Sequence, residues 1–119
     1  MLKIKLILLI PFLFLISSCW KQEIGRSYYE DGSIKTEATI SNGLLDGPSI
    51  MYYEDGMEMS KASYKNGLLD GMSISYYKNG RTKANANYKK GVLHGKSSYW
   101  NRDGTLVSQV MFNLGRLVD

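Results

Sequence analysis

The carboxylates that could hold a metal ion or carry acid–base chemistry recur at a fixed spacing in this chain. They are the aspartates that precede a glycine and the glutamates that follow a tyrosine pair: Asp31, Asp55, Asp103, Glu30 and Glu54. Calcium needs several oxygen ligands that converge on one site, whereas each position here offers one carboxylate and Asn79 interrupts the aspartate row. Lys78 interrupts the glutamate row in the same way. We therefore interpret the aspartates as turn residues and expect no metal site and no catalytic carboxylate pair.

The chain contains one histidine, His94, and one cysteine, Cys19. A single histidine excludes a histidine-rich metal site built from this chain alone, and nothing in the sequence resembles a nucleophile with a base. His94 stands at the repeat position that Asp46 and Asp70 occupy, and we interpret it as a surface substitution. One cysteine excludes a disulfide framework and a thiolate metal cluster. We therefore expect a protein that is not an enzyme and that uses no cofactor.

The spacing of these residues comes from a repeat of 24 residues. Its copies span 28–51, 52–75 and 76–99, and a shortened fourth copy spans 100–119. Glycines recur in three phases of the repeat, which begin at Gly32, Gly43 and Gly47. A fixed short period predicts a repeat architecture in one domain.

Each copy contains two segments in which apolar and polar residues alternate, as in Ile34, Thr36, Ala38 and Ile40. Period two predicts half-buried strands, near residues 33–40, 48–53, 57–64, 72–77, 81–88, 96–101 and 105–112. Asp-Gly dipeptides such as Asp31-Gly32 predict type I′ turns, and Asn42-Gly43 and Asn66-Gly67 mark the other end. The predicted fold is all-β: an elongated antiparallel meander of stacked β-hairpins.

The glycine phase that begins at Gly47 lies inside a predicted strand. Glycine there costs stability unless another group approaches closely. We expect a groove that receives an aromatic side chain from a neighbouring strand, with Tyr52, Tyr76 and Trp100 as candidates, and we expect Gly71→Val to destabilise the protein.

The N-terminus combines Lys3 and Lys5 with an apolar run over residues 6–16, too short to span a bilayer as a helix. Ile16-Ser17-Ser18-Cys19 follows and resembles the bacterial lipobox. The resemblance implies a signal peptide over 1–18, cleavage after Ser18 and a lipid on Cys19, with residues 19–27 as the lipidated cysteine and a short tether. An uncleaved anchor, or an ordinary signal peptide with a chance cysteine, remains open. The expected location is the bacterial cell envelope, on the periplasmic or surface side of either membrane.

The net charge of +4 falls to +2 without Lys3 and Lys5, because thirteen basic residues then face eleven acidic ones. That balance is too weak to indicate nucleic acid as a partner.

The pattern Tyr-Tyr-x-Asp/Asn-Gly, then an aromatic before x-x-Gly, then Leu-x-Gly resembles the bacterial variant of the MORN repeat. It covers residues 28–119 and departs in the last copy, where Asn101 replaces the second aromatic. The resemblance implies a single elongated sheet. It also implies a role among the YwqK-type antitoxins of toxin–antitoxin systems, or membrane-proximal scaffolding and lipid contact as in eukaryotic MORN proteins.

Two aromatic rows occupy adjacent positions in the repeat. Tyr52 and its equivalents form one row, and the other consists of Tyr29, Tyr53 and Tyr77. Because neighbouring residues of a strand point to opposite faces, we expect one row to face solvent, and for the second row packing and binding are equally open. The candidate partner-binding residues are Tyr29, Tyr53 and Tyr77. We expect alanine at Tyr53 and Tyr77 to weaken binding and spare stability, and alanine at Tyr52 and Tyr76 to cost stability first.

These observations favour a membrane-anchored lipoprotein whose repeat sheet binds a protein partner, with an antitoxin or immunity protein as the version that the resemblance implies. The alternative is a structural envelope module that contacts lipid or cell-wall polymer.

Overall fold

The computed structural model describes residues 21–118, and these residues form one antiparallel sheet. Its nine strands follow the chain order without a crossover. They are β1 (Gln22–Tyr28), β2 (Ile34–Ser41), β3 (Leu44–Tyr52), β4 (Glu58–Lys65), β5 (Leu68–Tyr76), β6 (Thr82–Lys89), β7 (Val92–Trp100), β8 (Leu106–Asn113) and β9 (Arg116–Val118). The predicted all-β meander of stacked hairpins is confirmed.

The predicted signal peptide over 1–18 and the predicted lipidation site Cys19 lie outside the described residues. Between residues 21 and 118, no helix has the length and the apolar composition needed to cross a membrane.

Two strand predictions need correction. Residues 22–27, expected to belong to a tether, form most of β1, which pairs along its whole length with β2. The strand predicted from residue 48 begins at Leu44, and its counterparts β5 and β7 also begin four residues earlier than predicted. Both errors have one cause: backbone pairing continues through segments whose side chains do not alternate.

The two ends of the sheet carry different connections. At one end the strands are joined by residues 42–43, 66–67, 90–91 and 114–115, in which both residues have positive φ (51° and 78° at Asn42 and Gly43). These are the type I′ turns, and they form even where Lys90 and Leu114 replace asparagine.

At the other end lie four longer loops, L1 (29–33), L2 (53–57), L3 (77–81) and L4 (101–105). In L1 the Gly32 N–H donates to the Tyr29 carbonyl (3.0 Å), the Tyr29 N–H donates to the Ser33 carbonyl (2.9 Å), and only Gly32 has positive φ. This is a type I turn followed by a left-handed glycine. The type I′ turn predicted at Asp31-Gly32 is therefore wrong, since Asp31 keeps a negative φ.

The glycines of the third phase occupy β-bulges. Between the pairs Ile40–Leu45 and Ala38–Ser49, β3 contains two residues more than β2. Gly47 takes φ of 123°, and a Cβ there would lie 3.1 Å from the Thr39 Cβ. The predicted groove for Tyr52 is wrong, because Thr39 makes the close approach and Gly47 pairs with Tyr64.

The sheet is a single layer, and within residues 21–118 Ala38 is the one apolar residue that is buried. Small residues pair directly across the middle of one face, in the order Gly25, Ala38, Ser49, Ala62, Ser73, Ala86, Ser97 and Val110. Beside them, larger pairs such as Tyr64–Leu69 and Tyr88–Leu93 run along the same face. Each such pair contributes roughly 0.2–1 kcal/mol, so cross-strand pairing takes the place of a core.

Candidate binding edge at loops L1 to L4

The aspartates at the tips of the loops are bound within their own loops. Asp31 accepts hydrogen bonds from the Ser33 N–H (2.8 Å) and the Ser33 hydroxyl (2.6 Å). In L4, Asp103 accepts from the Thr105 N–H (2.9 Å). These bonds hold the pKa of Asp31 and of Asp103 below the ordinary aspartate value. The turn role predicted for these aspartates matches this geometry.

The first residue of each of L1, L2 and L3 is a tyrosine whose hydroxyl reaches the next repeat. The Tyr29 hydroxyl donates to the Tyr52 carbonyl (2.6 Å), and the Tyr53 hydroxyl donates to the Tyr76 carbonyl (2.8 Å). The Tyr77 hydroxyl donates to the Trp100 carbonyl (2.8 Å). We call these three hydrogen bonds the tyrosine clasps. L4 begins with Asn101, so the row of clasps ends there.

The clasps fix the tyrosine rings side by side along the edge of the sheet. All three rings are half-buried, and each lies under a cation. Lys35 Nζ is 5.6 Å from the Tyr29 ring centre, and Lys78 Nζ is 5.7 Å from that of Tyr53. At these distances the ring face attracts the cation, which orders the long side chain above it.

Tyr77 has the most crowded surroundings of the three. Lys83 Nζ and the Arg102 guanidinium both lie 5.8 Å from its ring centre. Its hydroxyl is also 3.2 Å from the Tyr99 hydroxyl, and this hydrogen bond, with desolvation in addition, raises the pKa of Tyr77 above its ordinary value.

Depressions open between neighbouring loops and make one trough, the loop trough, along the tyrosine row. Between L1 and L2 its walls are acidic and contain Glu30, Asp31 and Glu54. Between L2, L3 and L4 it widens to about 510 Å³, and its walls contain Lys78, Lys83 and Arg102, which we call the basic basin. The loop trough is therefore negative at the first two repeats and positive at the last two.

A comparison with protein-family models matches residues 24–42 and 45–66 to the MORN repeat variant. The match supports the MORN-repeat family. Each matched segment consists of two strands around one Asp-Gly loop, L1 or L2, and L3 and L4 repeat the same backbone pattern. A search of curated proteins found no match to this chain.

The opposite edge of the sheet also links one copy of the repeat to the next. The Lys90 N–H donates to an Asp70 carboxylate oxygen (3.2 Å), and the Leu114 N–H donates to His94 Nδ1 (3.2 Å). His94 thus does for the last repeat what Asp70 does for the third. Its interpretation as a mere surface substitution missed this hydrogen bond, although its shared repeat position with Asp70 was the available signal.

The predicted partner-binding residues Tyr29, Tyr53 and Tyr77 line one trough, although they belong to loops and not to a strand face. Their hydroxyls are engaged in the clasps, while their rings form its floor. Binding by these rings stays a prediction. Sequence reasoning missed Lys78, Lys83 and Arg102 as one cluster. The available signal was the repeat position that Lys78 and Arg102 share, because Glu30 and Glu54 hold it in the first two copies. Among residues 21–118, no group of three or more histidine, cysteine, aspartate or glutamate residues could hold a metal ion.

Proposed function

We propose that this chain is a membrane-anchored binding protein that uses the loop trough to hold a protein partner and carries out no reaction itself. The observation that carries the proposal is the row of three tyrosine rings, Tyr29, Tyr53 and Tyr77, which the clasps hold in fixed positions. Rigid aromatic side chains bind with little loss of conformational entropy, and tyrosine is enriched among the residues that dominate interface energies.

The dimensions of the row suit an interface. Two strands separate equivalent residues of successive repeats, which corresponds to about 9–10 Å. The three rings therefore extend over roughly 20 Å, comparable with the central patch of a standard protein interface. Single-layer sheets also present their loops in a fixed order, so a partner would meet the rings as one rigid set.

Anchoring is proposed from the sequence of the N-terminus. The apolar run and Ile16-Ser17-Ser18-Cys19 support export and lipid attachment at Cys19, which would hold the repeats at the envelope. Because β1 begins at Gln22, the sheet would follow the lipid after only two or three residues. Gln22 pairs with Ser41 beside the type I′ turns, so the loop trough would lie at the edge of the sheet away from the lipid, about the length of β1 from it.

The most specific version of this function is an antitoxin or immunity protein of the envelope, which binds and neutralises a toxin. It is supported by the resemblance to the YwqK-type antitoxins. A toxin gene beside the gene for this protein would support it further. A protein that sediments with cell wall and captures no toxin would favour the structural envelope module instead.

Two experiments test the proposal. Cells that express the chain are fed an alkyne-labelled fatty acid, and Cys19→Ala must lose the label and leave the membrane fraction. Binding is tested by co-purification of the genetically linked candidate partner with the parent and with Tyr53→Leu/Tyr77→Leu. The ring-free pair should lose the partner, while Tyr53→Phe/Tyr77→Phe, which loses the same two clasps but keeps both rings, should retain it. Retention of the partner by the leucine pair would refute the binding role.

A further inference from the structure

We propose that the loop trough recognises a short polypeptide segment of opposite charge polarity, with its acidic end in the basic basin. The proposal rests on the proposed function, and it names the chemistry of the partner segment: acidic residues over L3 and L4, basic residues over L1 and L2. Neither the tyrosine row nor the family match assigns such a segment.

The cations of the basic basin are free to meet an external anion. Among the described residues, the one salt bridge joins Arg26 to Glu37 on β1 and β2. Lys78, Lys83 and Arg102 instead lie over the rings of Tyr53 and Tyr77 at 5.7–5.8 Å. A carboxylate that enters between them would gain several charge-assisted hydrogen bonds without first breaking an ion pair.

Carboxylates border the basin on both sides: Glu54 and Asp55 line a depression with Lys78, and Asp103 lines one with Lys83 and Arg102. The carboxylate of Asp103 is engaged within its own loop. Its oxygen Oδ1 accepts the Thr105 N–H at 2.9 Å, so the loop itself occupies this group. Arg81, beside the basin, contacts the Arg102 carbonyl through Nη1 at 3.5 Å and adds a further positive charge to the same end.

The acidic end of the trough decides which kind of anion fits. Glu30, Asp31, Glu54 and Asp55 line the depressions at L1 and L2, on the same edge as the basin. A nucleic acid strand along the trough, or an anionic bilayer laid against the loop edge, would bring negative charge against these carboxylates. Like charges placed together in this way disfavour the wrong partner. A segment that carries acidic residues at one end and basic residues at the other meets complementary charge along the whole trough.

The length of the segment follows from the repeat spacing. L1 and L4 are three repeats apart, which corresponds to about 29 Å at two strands per repeat. An extended chain of about nine or ten residues covers that distance.

The test uses a fluorescent peptide with four glutamates, a Gly-Ser spacer and four lysines, titrated with the full chain in a neutral detergent. The comparison peptide has the same composition with glutamate and lysine alternating. We expect the block peptide to bind at least about tenfold more tightly than the alternating one, and we expect salt to weaken its binding, because its charges match the polarity of the trough.

Matched variants locate the site. Lys78→Ala/Lys83→Ala/Arg102→Ala should reduce block-peptide affinity roughly tenfold or more, since each surface pair contributes a modest share. Lys65→Ala/Lys89→Ala/Lys96→Ala removes the same net charge from exposed positions elsewhere and should leave the affinity unchanged. Lys35→Ala removes the cation over the Tyr29 ring at the acidic end and should strengthen block-peptide binding, because the basic residues of the segment would lie there.

Several outcomes would overturn the inference. They are equal binding of the block and alternating peptides, equal loss in both triple variants, or tighter binding of phosphatidylglycerol vesicles or a single-stranded oligonucleotide than of the block peptide. If the basin variant still binds a protein partner that Tyr53→Leu/Tyr77→Leu no longer binds, the proposed function is supported and the charge-polarity inference is refuted. The two failures are therefore distinguishable.

Discussion

The tyrosine clasp at Tyr53 is the contact whose removal is simplest to interpret. Tyr53→Phe deletes one hydroxyl and keeps the ring that forms the floor of the loop trough. The lost hydrogen bond is 2.8 Å long, part-buried, and joins L2 to the Tyr76 carbonyl, 23 residues further along the chain. We predict that the variant folds, retains the loop trough and is less stable than the parent.

The magnitude follows from the surroundings of the Tyr76 carbonyl. A hydrogen bond of this kind contributes about 1 kcal/mol net, and the cost rises toward 1–3 kcal/mol when a buried partner is left unsatisfied. Because this carbonyl is part-buried near an open loop, water reaches it once the hydroxyl is removed, so we expect about 1–1.5 kcal/mol. In a domain of about 100 residues, each kcal/mol of lost stability lowers Tm by roughly 4–8 °C.

Urea unfolding followed by far-ultraviolet circular dichroism measures this loss. Tyr28→Phe is the matched control: the substitution is the same, but the Tyr28 side chain is 57% exposed and its hydroxyl makes no hydrogen bond within residues 21–118. The control should stay within about 0.3 kcal/mol of the parent, as surface substitutions usually do. If Tyr53→Phe is as stable as Tyr28→Phe, the clasps do not link the repeats and the reasoning fails.

Further predictions concern the bulges, the opposite edge and the loop aspartates. Gly71→Val should lower the free energy of unfolding in urea by about 2 kcal/mol or more, because Gly71 has φ of 104° and a Cβ there meets the Ser63 Cβ at 3.3 Å. Met72→Val, at an exposed residue with ordinary φ, should be tolerated. Equal stability of the two variants would refute this. His94→Ala should lower the urea midpoint modestly and His94→Asp should restore it, since Asp70 accepts the equivalent N–H; an aspartate variant as weak as the alanine would count against the contact. The lowered pKa values of Asp31 and Asp103 predict a contribution to stability that is fully present above the unfolded-state pKa of about 3.8 and is lost as the pH falls through the lower folded-state values. Between pH 5 and pH 2, the urea midpoint of Asp31→Asn/Asp103→Asn should therefore depend less on pH than that of the parent. An unchanged pH profile would exclude the effect.

The meander was predictable because glycine phase and period-two alternation are local properties of the chain. Ile34, Thr36 and Ala38 are two residues apart and therefore lie on one face of a strand. Asn42-Gly43 favours a tight turn whatever the rest of the fold. The turn at Lys90-Gly91 adopts the same positive φ values, although lysine alone does not predict them. Here the neighbouring strands impose the turn on a residue that disfavours it.

The bulges and clasps were not predictable, because both depend on contacts between copies of the repeat. The sequence indicates a turn or a groove at Gly47. In the structure Gly47 lies in a bulge, where Thr39 approaches it closely. For the row that contains Tyr53 the sequence leaves packing and binding equally open, and nothing in its own segment indicates that its hydroxyl returns to the Tyr76 carbonyl. For the same reason Tyr53→Ala and Tyr77→Ala, expected from the sequence to spare stability, should also cost the energy of a clasp.

The central claim, that the edge formed by L1 to L4 binds a protein partner, is tested most directly by site-specific photo-crosslinking in cells. A photoreactive phenylalanine at Arg81 lies beside the basic basin and leaves the tyrosine clasps and the basin cations in place. The same residue at Lys65 lies at the opposite edge of the sheet and is also exposed. We predict one discrete protein adduct from position 81 and none from position 65. An adduct from position 65 alone, or none from either position in cells that contain the candidate partner, would contradict the account.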